Sequence, residues 1–305
     1  MKKSAKIIII CLFIYLGWLV FNNSLLVKES VVYAFDLWLR HVFPILFIMF
    51  IISDVLINYG FAQVLGRIFA KVSQSIFKVN GLSSYVLIAS LISGSPSNAV
   101  FVKDLYENNY LTLGEANKIL SFTFFLNPLF VYSFLALIFQ SNTIILKIML
   151  TVYLSNILVG YLIRNTSNKQ TTNIIYKKEN NLGFANIFTI ALKKAMNNML
   201  LVLGSITFFV VLSALCNRIL NLNSINISVI RGVLEITSGL NELSKITASV
   251  KLKALLSGIF LSFGSFSIHM QIKSIIADTP VSYKFFFIIR ILHSAITTLV
   301  LSIII

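Results

Sequence analysis

Polar residues that can bind a solute stand in short clusters inside a chain that is otherwise mostly apolar. The clearest cluster is the octet Leu91–Asn98, with the sequence LISGSPSN. Irregular backbone at membrane depth persists only where it lines a cavity or is buried in protein, so the octet predicts a re-entrant hairpin that breaks at 93–95. Ser95 then suits the N-cap and Pro96 the first helical position, and the next two N–H groups would face an anionic or carbonyl oxygen. A kinked helix whose small residues pack on a neighbour explains the octet equally well.

Three further segments carry polar groups at membrane depth. Pro128 removes an internal hydrogen bond from an apolar helix, so Asn127 stands at a predicted unwound point. Glu235 is the one acid inside the second predicted hairpin, and an ionisable group within the membrane is a functional candidate. Two serines after Gly264 resemble an unwound binding strip. The predicted solute-binding residues are Ser93, Gly94, Ser95, Ser97, Asn98, Thr123, Asn127, Glu235, Thr237, Ser238, Ser265 and Ser267.

Each of these side chains also has a purely structural explanation. Glu235 can bind a coupling proton or cation or accept from a substrate hydroxyl, or it can be a carboxylate at a helix start near the outer surface. Asn127 can bond a ligand or satisfy carbonyls that the kink frees. Hydroxyls in membrane helices often bond back to the preceding turn, which would explain Ser265 and Ser267. For His269, packing and one hydrogen bond are favoured over titration near neutral pH.

The sequence contains no constellation for catalysis or cofactor binding. It lacks a Gly-x-Ser-x-Gly turn, a pair of histidines at metal-ligand spacing and a Gly-x-x-x-x-Gly-Lys phosphate loop. Cys11 and Cys216 lie in apolar runs, where a cysteine packs as a small hydrophobe. We therefore expect no enzyme, cofactor or metal, and energy for transport would come from an ion gradient, a partner or consumption of the substrate.

The composition places these clusters in an integral membrane protein. Of the 305 residues, 57% are hydrophobic and 11% are charged, and the mean hydropathy is +0.90. The formal charge of +15 comes mainly from Lys and Arg between apolar segments, as expected of cytoplasmic loops, so nucleic acid is not a predicted partner. The predicted partners are the lipid bilayer and a small-molecule substrate. A coupling ion (H⁺ or Na⁺) and a homo-oligomer are left open.

The order of elements divides the chain into four segments. Residues 1–36 are predicted to form an N-terminal span and an outer loop, with a cytoplasmic N-terminus, and residues 164–195 a basic cytoplasmic linker. Residues 37–163 and 196–305 form two gate-like repeats with one plan: span, polar interlude, interrupted hairpin, broken span, span. Because each repeat crosses three times, the second starts from the opposite face. The predicted fold is an all-α polytopic membrane protein, an inverted-topology repeat with two re-entrant hairpins and two broken transmembrane helices.

Shorter patterns predict where individual elements begin and end. Apolar and basic residues alternate over Gly60–Asn80 as in an amphipathic helix at the inner interface. Thr112 and Glu115 have the spacing of a capping box. The stretch Asn217–Ser228 has the composition of a polar outer loop. Between the two repeats, the sequence matches Ser93-Gly94 with Ser238-Gly239, and Leu120-Ser-Phe122 with Leu261-Ser-Phe263.

Several of these motifs together resemble a known family, the sporulation integral membrane proteins of the YlbJ (SpoVV) type. A more distant resemblance is to the nucleoside-recognition or gate-domain group, similar in plan to concentrative nucleoside transporters. It implies re-entrant hairpins around 93–98 and 235–239 and broken helices around 123–127 and 264–267. The motifs are Val42-Phe-Pro44, Ser93–Pro96, Leu111–Ala116, Leu120–Thr123, Asn127–Phe130, Gly232–Gly239, Phe266-Ser267, Phe285–Phe287 and Arg290–His293.

The resemblance also implies a function, the movement of dipicolinate into the developing spore across the membrane around it. The leading hypothesis is a transporter of a small polar, anionic aromatic solute that works by alternating access during sporulation. Its location would be the cell membrane or, in a spore former, the outer forespore membrane. Two alternatives stay open: a non-transporting membrane component that assembles or signals during spore envelope formation, and a transporter of nucleosides or another metabolite.

Overall fold

The computed structural model describes residues 3–166, 183–220 and 222–305, and all regular structure in these ranges is helical. At the N-terminus, α1 spans Lys3–Asn22, and α2 (Ser24–Leu37) continues through a π-helical turn at Trp38–Val42 into α3 (Phe43–Asn58). The rest of the first half is α4 (Phe61–Phe77), α5 (Ser83–Ser93), α6 (Ser97–Glu107), α7 (Leu113–Phe122), α8 (Pro128–Ile138) and α9 (Asn142–Leu162). The second half is α10 (Phe184–Leu220), α11 (Ser224–Leu234), α12 (Ile236–Lys245), α13 (Val250–Phe263), α14 (Ser265–Ile275) and α15 (Tyr283–Ile304).

Helices long and apolar enough to cross a membrane account for much of this structure. Each needs about 20 apolar residues, because the hydrocarbon core is about 30 Å thick and a helix rises about 1.5 Å per residue. The predicted all-α polytopic architecture is confirmed. Within the described ranges five helical segments meet the requirement: Ser24–Leu56, Asn142–Leu162, Phe184–Leu220, Val250–Ile275 and Tyr283–Ile304.

The structure extends helices into three regions that the sequence predicted as loop or linker. The predicted outer loop before residue 37 is helix α2, and the described end of the predicted linker, from Phe184, is the start of α10. The predicted outer loop 217–228 is mostly helical, because α10 runs to Leu220 and α11 starts at Ser224. In an apolar environment a helix satisfies its own backbone, so polar side chains alone do not unwind it. Residues 167–182 of the predicted linker lie outside the described ranges.

Five helices of the first half correspond in order to five helices of the second half, and the contacts between the halves are equivalent in two cases. The helix pair α5/α6 corresponds to α11/α12, the broken helix α7/α8 to α13/α14, and α9 to α15. Helix α7 packs on α15 as α13 packs on α9, and α8 packs on α12 as α6 packs on α14. Such reciprocal contacts, in which each half packs on the other through equivalent helices, are the pattern of two structural repeats that share one interface. The orientation of each half relative to a bilayer stays a prediction.

The two short sequence matches between the repeats differ in outcome. Leu120–Phe122 ends α7 and Leu261–Phe263 ends α13, so these triplets occupy equivalent positions. The match of Ser93-Gly94 with Ser238-Gly239 is wrong, because the second hairpin breaks at Glu235 while residues 238 and 239 lie inside α12. Gly239 instead allows close packing of the two arms of that hairpin, since an added Cβ would collide with the backbone of Gly232.

The unwound strip between α7 and α8 is held by side chains of α9. Asn156 donates through Nδ2 to the carbonyls of Phe122 at 2.9 Å and Phe124 at 2.8 Å. The hydroxyl of Tyr153 donates to the Leu126 carbonyl at 3.0 Å. These bonds replace the helical hydrogen bonds that the break removes, which buried carbonyls require.

Helix α15 holds the same region from the other side through a fully buried arginine. Arg290 donates to the carbonyl of Ser121 and, at 2.8 Å, to Oδ1 of Asn156. Its guanidinium carbon lies 4.9 Å from the ring centroid of Phe124. Its Nη1 lies 3.0 Å from Nδ1 of His293, a contact that fits a histidine protonated at Nε2. The Arg290–Asn156 pair therefore ties α15 and α9 to the break in the first broken helix.

The structure also shows the predicted capping box and the segment that was predicted to be amphipathic. The capping box is confirmed: Oγ1 of Thr112 accepts from the Glu115 N–H at 3.3 Å, and Oε2 of Glu115 accepts from the Thr112 N–H at 3.0 Å. The segment predicted to be amphipathic contains α4, and four exposed apolar side chains share one of its faces at a spacing of four residues. These are Val64, Ile68, Val72 and Ile76.

Candidate functional site

Both hairpins and both broken helices border one cavity, here called the central cavity. Ser95 comes from the first hairpin and Glu235 and Thr237 from the second, while Asn127 and Ser267 come from the two broken helices. These residues lie as far as 172 positions apart in sequence, between Ser95 and Ser267. The remaining lining residues are Val42, Leu46, Leu126, Phe130, Val202, Ile206, Ile236, Ile268 and Gln271.

The central cavity is closed in this conformation. Its volume of about 30 Å³ is enough for a water molecule. Sites for drug-sized ligands have volumes of roughly 300 Å³ or more. An aromatic solute would therefore enter only after the surrounding helices move apart.

The tip of the first hairpin docks onto the unwound strip of the first broken helix. The N–H of Ser95 donates to the Phe125 carbonyl at 2.7 Å. Gly94 has φ +80° and ψ 169°, a conformation that is essentially restricted to glycine, and an added Cβ would lie 2.9 Å from the Asn127 nitrogen. The tip thus requires glycine both for its backbone and for its close contact.

The start of α6 differs by one residue from the prediction. Pro96, not Ser95, occupies the N-cap of α6, and the Ser97 N–H donates to the Gly94 carbonyl at 3.1 Å instead of facing a ligand. The Ser95 hydroxyl donates to Oδ1 of Asn98 at 2.9 Å. A turn closed by the Gly94 carbonyl therefore replaces the predicted serine cap.

Asn127 is mainly a structural cap, although it lines the central cavity. Its Oδ1 accepts from the N–H groups of Leu129 at 2.9 Å and Phe130 at 3.2 Å, at the start of α8. Its Nδ2 donates to the Ile92 carbonyl at 2.6 Å, which ties the first hairpin to the broken helix. Since an amide nitrogen has two hydrogens, one donor remains for a ligand.

Glu235 caps α12 and is fully buried at the edge of the central cavity. One carboxylate oxygen accepts from the Thr237 N–H at 3.1 Å. The other accepts from the Ser238 N–H at 2.7 Å and the Thr237 hydroxyl at 2.5 Å. A carboxylate at a helix N-terminus is stabilised by the helix dipole, so the cap explains how this acid is held. It is the one ionisable side chain among the described lining residues.

The second broken helix bends at two consecutive residues with positive φ, Gly264 at +91° and Ser265 at +56°. The ring of Phe124, from the first unwound strip, packs where a side chain at Gly264 would lie. The hydroxyls of Ser265 and Ser267 hydrogen-bond each other at 3.2 Å, and only Ser267 lines the cavity. The break is therefore shaped by contact with the other repeat.

The other predicted residues do not line the central cavity. Ser93 and Ser97 line a second small cavity on the far side of the hairpin tip, beside the ion pair of Lys194 with Asp54 at 3.2 Å. The Thr123 hydroxyl bonds back to the Ile119 carbonyl at 2.7 Å. Four more residues are buried or form the tip without facing the cavity: Gly94, Asn98, Ser238 and Ser265.

His269 has a structural role, as the sequence favoured. Its Nε2 lies 3.0 Å from the Phe263 carbonyl and its Nδ1 3.2 Å from the hydroxyl of Tyr283. Aromatic rings, including that of Phe286 at 5.3 Å between centroids, surround the imidazole. The side chain is not part of the central cavity.

One lining residue, Gln271, was missed from the sequence. It lies on α14 one turn after Ser267, which places both on the same helix face. The side chain is 3% exposed, and its Oε1 is buried without a hydrogen-bond partner in the described structure. In the sequence, Gln271 could have been identified by its spacing of four residues from Ser267, a predicted site residue.

Four helix N-termini meet at the central cavity, and they determine its electrostatics. Ser95 immediately precedes the N-cap of α6, Asn127 and Glu235 are the N-caps of α8 and α12, and Ser267 lies in the first turn of α14. Each N-terminus carries roughly half a positive charge. Converging N-termini favour a ligand with anionic or carbonyl oxygens.

Over nearly its whole length the chain is similar in sequence to a sporulation membrane protein. The sporulation integral membrane protein YlbJ of Bacillus subtilis (strain 168) is 26% identical over 333 residues, which cover 96% of this chain and 81% of the relative. The chain is therefore similar in sequence to a YlbJ-type sporulation membrane protein over nearly its whole length. No protein-family model and no solved structure matches it. The aligned region includes nearly all of both repeats and therefore the elements around the central cavity.

Proposed function

We propose that this protein is a membrane transporter that acts during sporulation and moves a small anionic aromatic solute through the central cavity. Dipicolinate is the substrate that the family resemblance suggests. The observation that supports the proposal is the meeting of four helix N-termini from two repeats at one buried cavity.

The charges around the cavity support an anionic solute. Four helix N-termini contribute a positive potential, which Asn127 and Glu235 partly offset because they cap α8 and α12. The remaining positive potential favours an anionic group. A dicarboxylate with two charges would be balanced by a proton or another cation that enters with it, and Glu235 is the group beside which that cation would sit.

The closed state of the cavity supports alternating access. A solute as large as an aromatic dicarboxylate does not fit in about 30 Å³, so each transport cycle requires an opening on one side and then on the other. Equivalent contacts in the two repeats, α8 on α12 and α6 on α14, give two similar interfaces that can open in turn.

Uptake by the purified protein in liposomes tests this function directly. We expect uptake of labelled dipicolinate and competition by other aromatic dicarboxylates, with little competition by uridine. In the host, deletion of the gene should lower the dipicolinate content of spores. Uptake of uridine without uptake of dipicolinate would assign the cavity to nucleosides, and normal spore dipicolinate after deletion would eliminate this substrate.

A blocking substitution separates a transporter from an assembly component. Val202 on α10 lines the cavity and is 6% exposed, so Val202→Phe should fill it and abolish uptake. Leu200 lies on the same helix but is 54% exposed, so Leu200→Phe is the matched control and should leave uptake unchanged. Normal spores from a well-expressed Val202→Phe variant that takes up no solute would favour the assembly role, and normal uptake by that variant would show that the solute does not pass through the central cavity.

A further inference from the structure

The amide of Gln271 is the polar group at the central cavity whose bonding capacity is least used. Glu235 accepts three hydrogen bonds within α12, and Asn127 uses its oxygen twice and its nitrogen once. The hydroxyl of Ser95 donates to Asn98. The Oε1 of Gln271 is buried without a hydrogen-bond partner among the residues that the structure describes, and the residue is only 3% exposed.

Stability does not explain an amide in this position. A buried polar group without a partner costs free energy, and an apolar side chain of similar size would avoid that cost. The neighbouring lining residues on the same helix face, Ile268 among them, are apolar or already bonded. Locally unfavourable residues of this kind are expected where a site is shaped for a ligand.

We propose that Gln271 binds the transported solute directly, with its amide N–H groups donating to a carboxylate oxygen of that solute and its buried Oε1 accepting from a hydrogen-bond donor that enters with it, such as a protonated carboxyl group. The inference rests on the proposed transport function and adds a specificity-determining residue to its site. The spare N–H of Asn127 provides a second donor on the other broken helix. One carboxylate held by both amides would link the two repeats.

Two substitutions of Gln271 test whether the transported solute is an anion. Gln271→Leu removes the donors and keeps the approximate volume, so uptake should show a KM for dipicolinate raised about tenfold to a hundredfold, the loss typical of a hydrogen bond to a charged group. Gln271→Glu adds a second carboxylate near Glu235 and should impair uptake of an anion further than Gln271→Leu does. A neutral solute would show no such extra loss.

Thermal stability in detergent, measured without solute, provides a readout that does not depend on transport. We expect Gln271→Leu to melt at the wild-type temperature or above it, because an unsatisfied amide has been removed. Met270, on the same helix and 52% exposed, provides the control Met270→Leu, which should change neither uptake nor melting. A marked drop in melting temperature for Gln271→Leu would show a structural role and overturn the proposal.

The outcomes separate the inference from the function on which it rests. Wild-type protein that takes up no solute would refute the transport function. Wild-type uptake that is unchanged in Gln271→Leu would refute solute binding by Gln271 and leave the transport function in place. Equal losses of uptake in Gln271→Leu and Gln271→Glu would refute recognition of a carboxylate at this residue.

Discussion

The side chain of Asn156 should be among the most sensitive in the protein, because it satisfies two carbonyls of the first break and one arginine. Asn156→Leu keeps the approximate volume but leaves the carbonyls of Phe122 and Phe124 without a donor. Each buried group left unsatisfied costs about 1–3 kcal/mol, and partial relaxation places the total near 3 kcal/mol. Arg290 keeps its bond to the Ser121 carbonyl, so its lost contact with Asn156 adds less.

The loss can be measured as thermal stability of the purified protein in detergent. At about 2–4 °C per kcal/mol for a large domain, Asn156→Leu should lower the melting temperature by roughly 6–12 °C. Asn186 on α10 is exposed, so the same substitution there is the matched control. Asn186→Leu should change stability by less than about 0.5 kcal/mol.

The same substitution also tests the link between the break and the central cavity. The Phe125 carbonyl, which accepts from the N–H of Ser95 at the hairpin tip, directly follows Phe124, whose carbonyl Asn156 holds, so release of the strip should weaken solute uptake as well. Asn156→Leu and Asn186→Leu proteins of equal stability would refute the reasoning, because the freed carbonyls would then have found other donors.

Three further predictions concern backbone packing and a surface charge. Gly239→Ala should separate the arms of the second hairpin at Gly232 and lower stability by about 1–3 kcal/mol, measured by melting; an unchanged melting temperature would contradict the packing. Gly94→Ala should impair uptake more than expression, because its φ of +80° strains any other residue at the tip; normal uptake would contradict this. Lys194→Gln breaks the pair with Asp54 but should cost less than about 1 kcal/mol, since Lys194 is 54% exposed; a larger loss would indicate a buried contact.

The positions of helix breaks and caps could be predicted from the sequence because they depend on nearby residues. Pro128 starts α8, Gly264 separates α13 from α14, and the Thr112–Glu115 box starts α7. Each acts through the backbone within one helical turn. Loop boundaries were predicted less well, since polar residues such as those around Asn217 remain helical when nothing local interrupts the hydrogen bonds.

Only the tertiary structure decided which partner each polar side chain hydrogen-bonds. Asn127 donates to a carbonyl 35 residues earlier, and Arg290 to one 169 residues earlier, so no local pattern could reveal that these groups were already bonded. Gln271 shows the converse: its sequence context is ordinary, and its lack of a partner appears only once its neighbours are packed.

The sequence by itself determined that this is an all-helical membrane protein interrupted at polar points, because apolar length and helix-breaking residues are local properties. The tertiary structure decided that those points meet, and which of their side chains face a cavity. The physical reason is that a buried polar group must bond to whatever the fold brings near it. Only the groups that remain unbonded after packing are left for a solute.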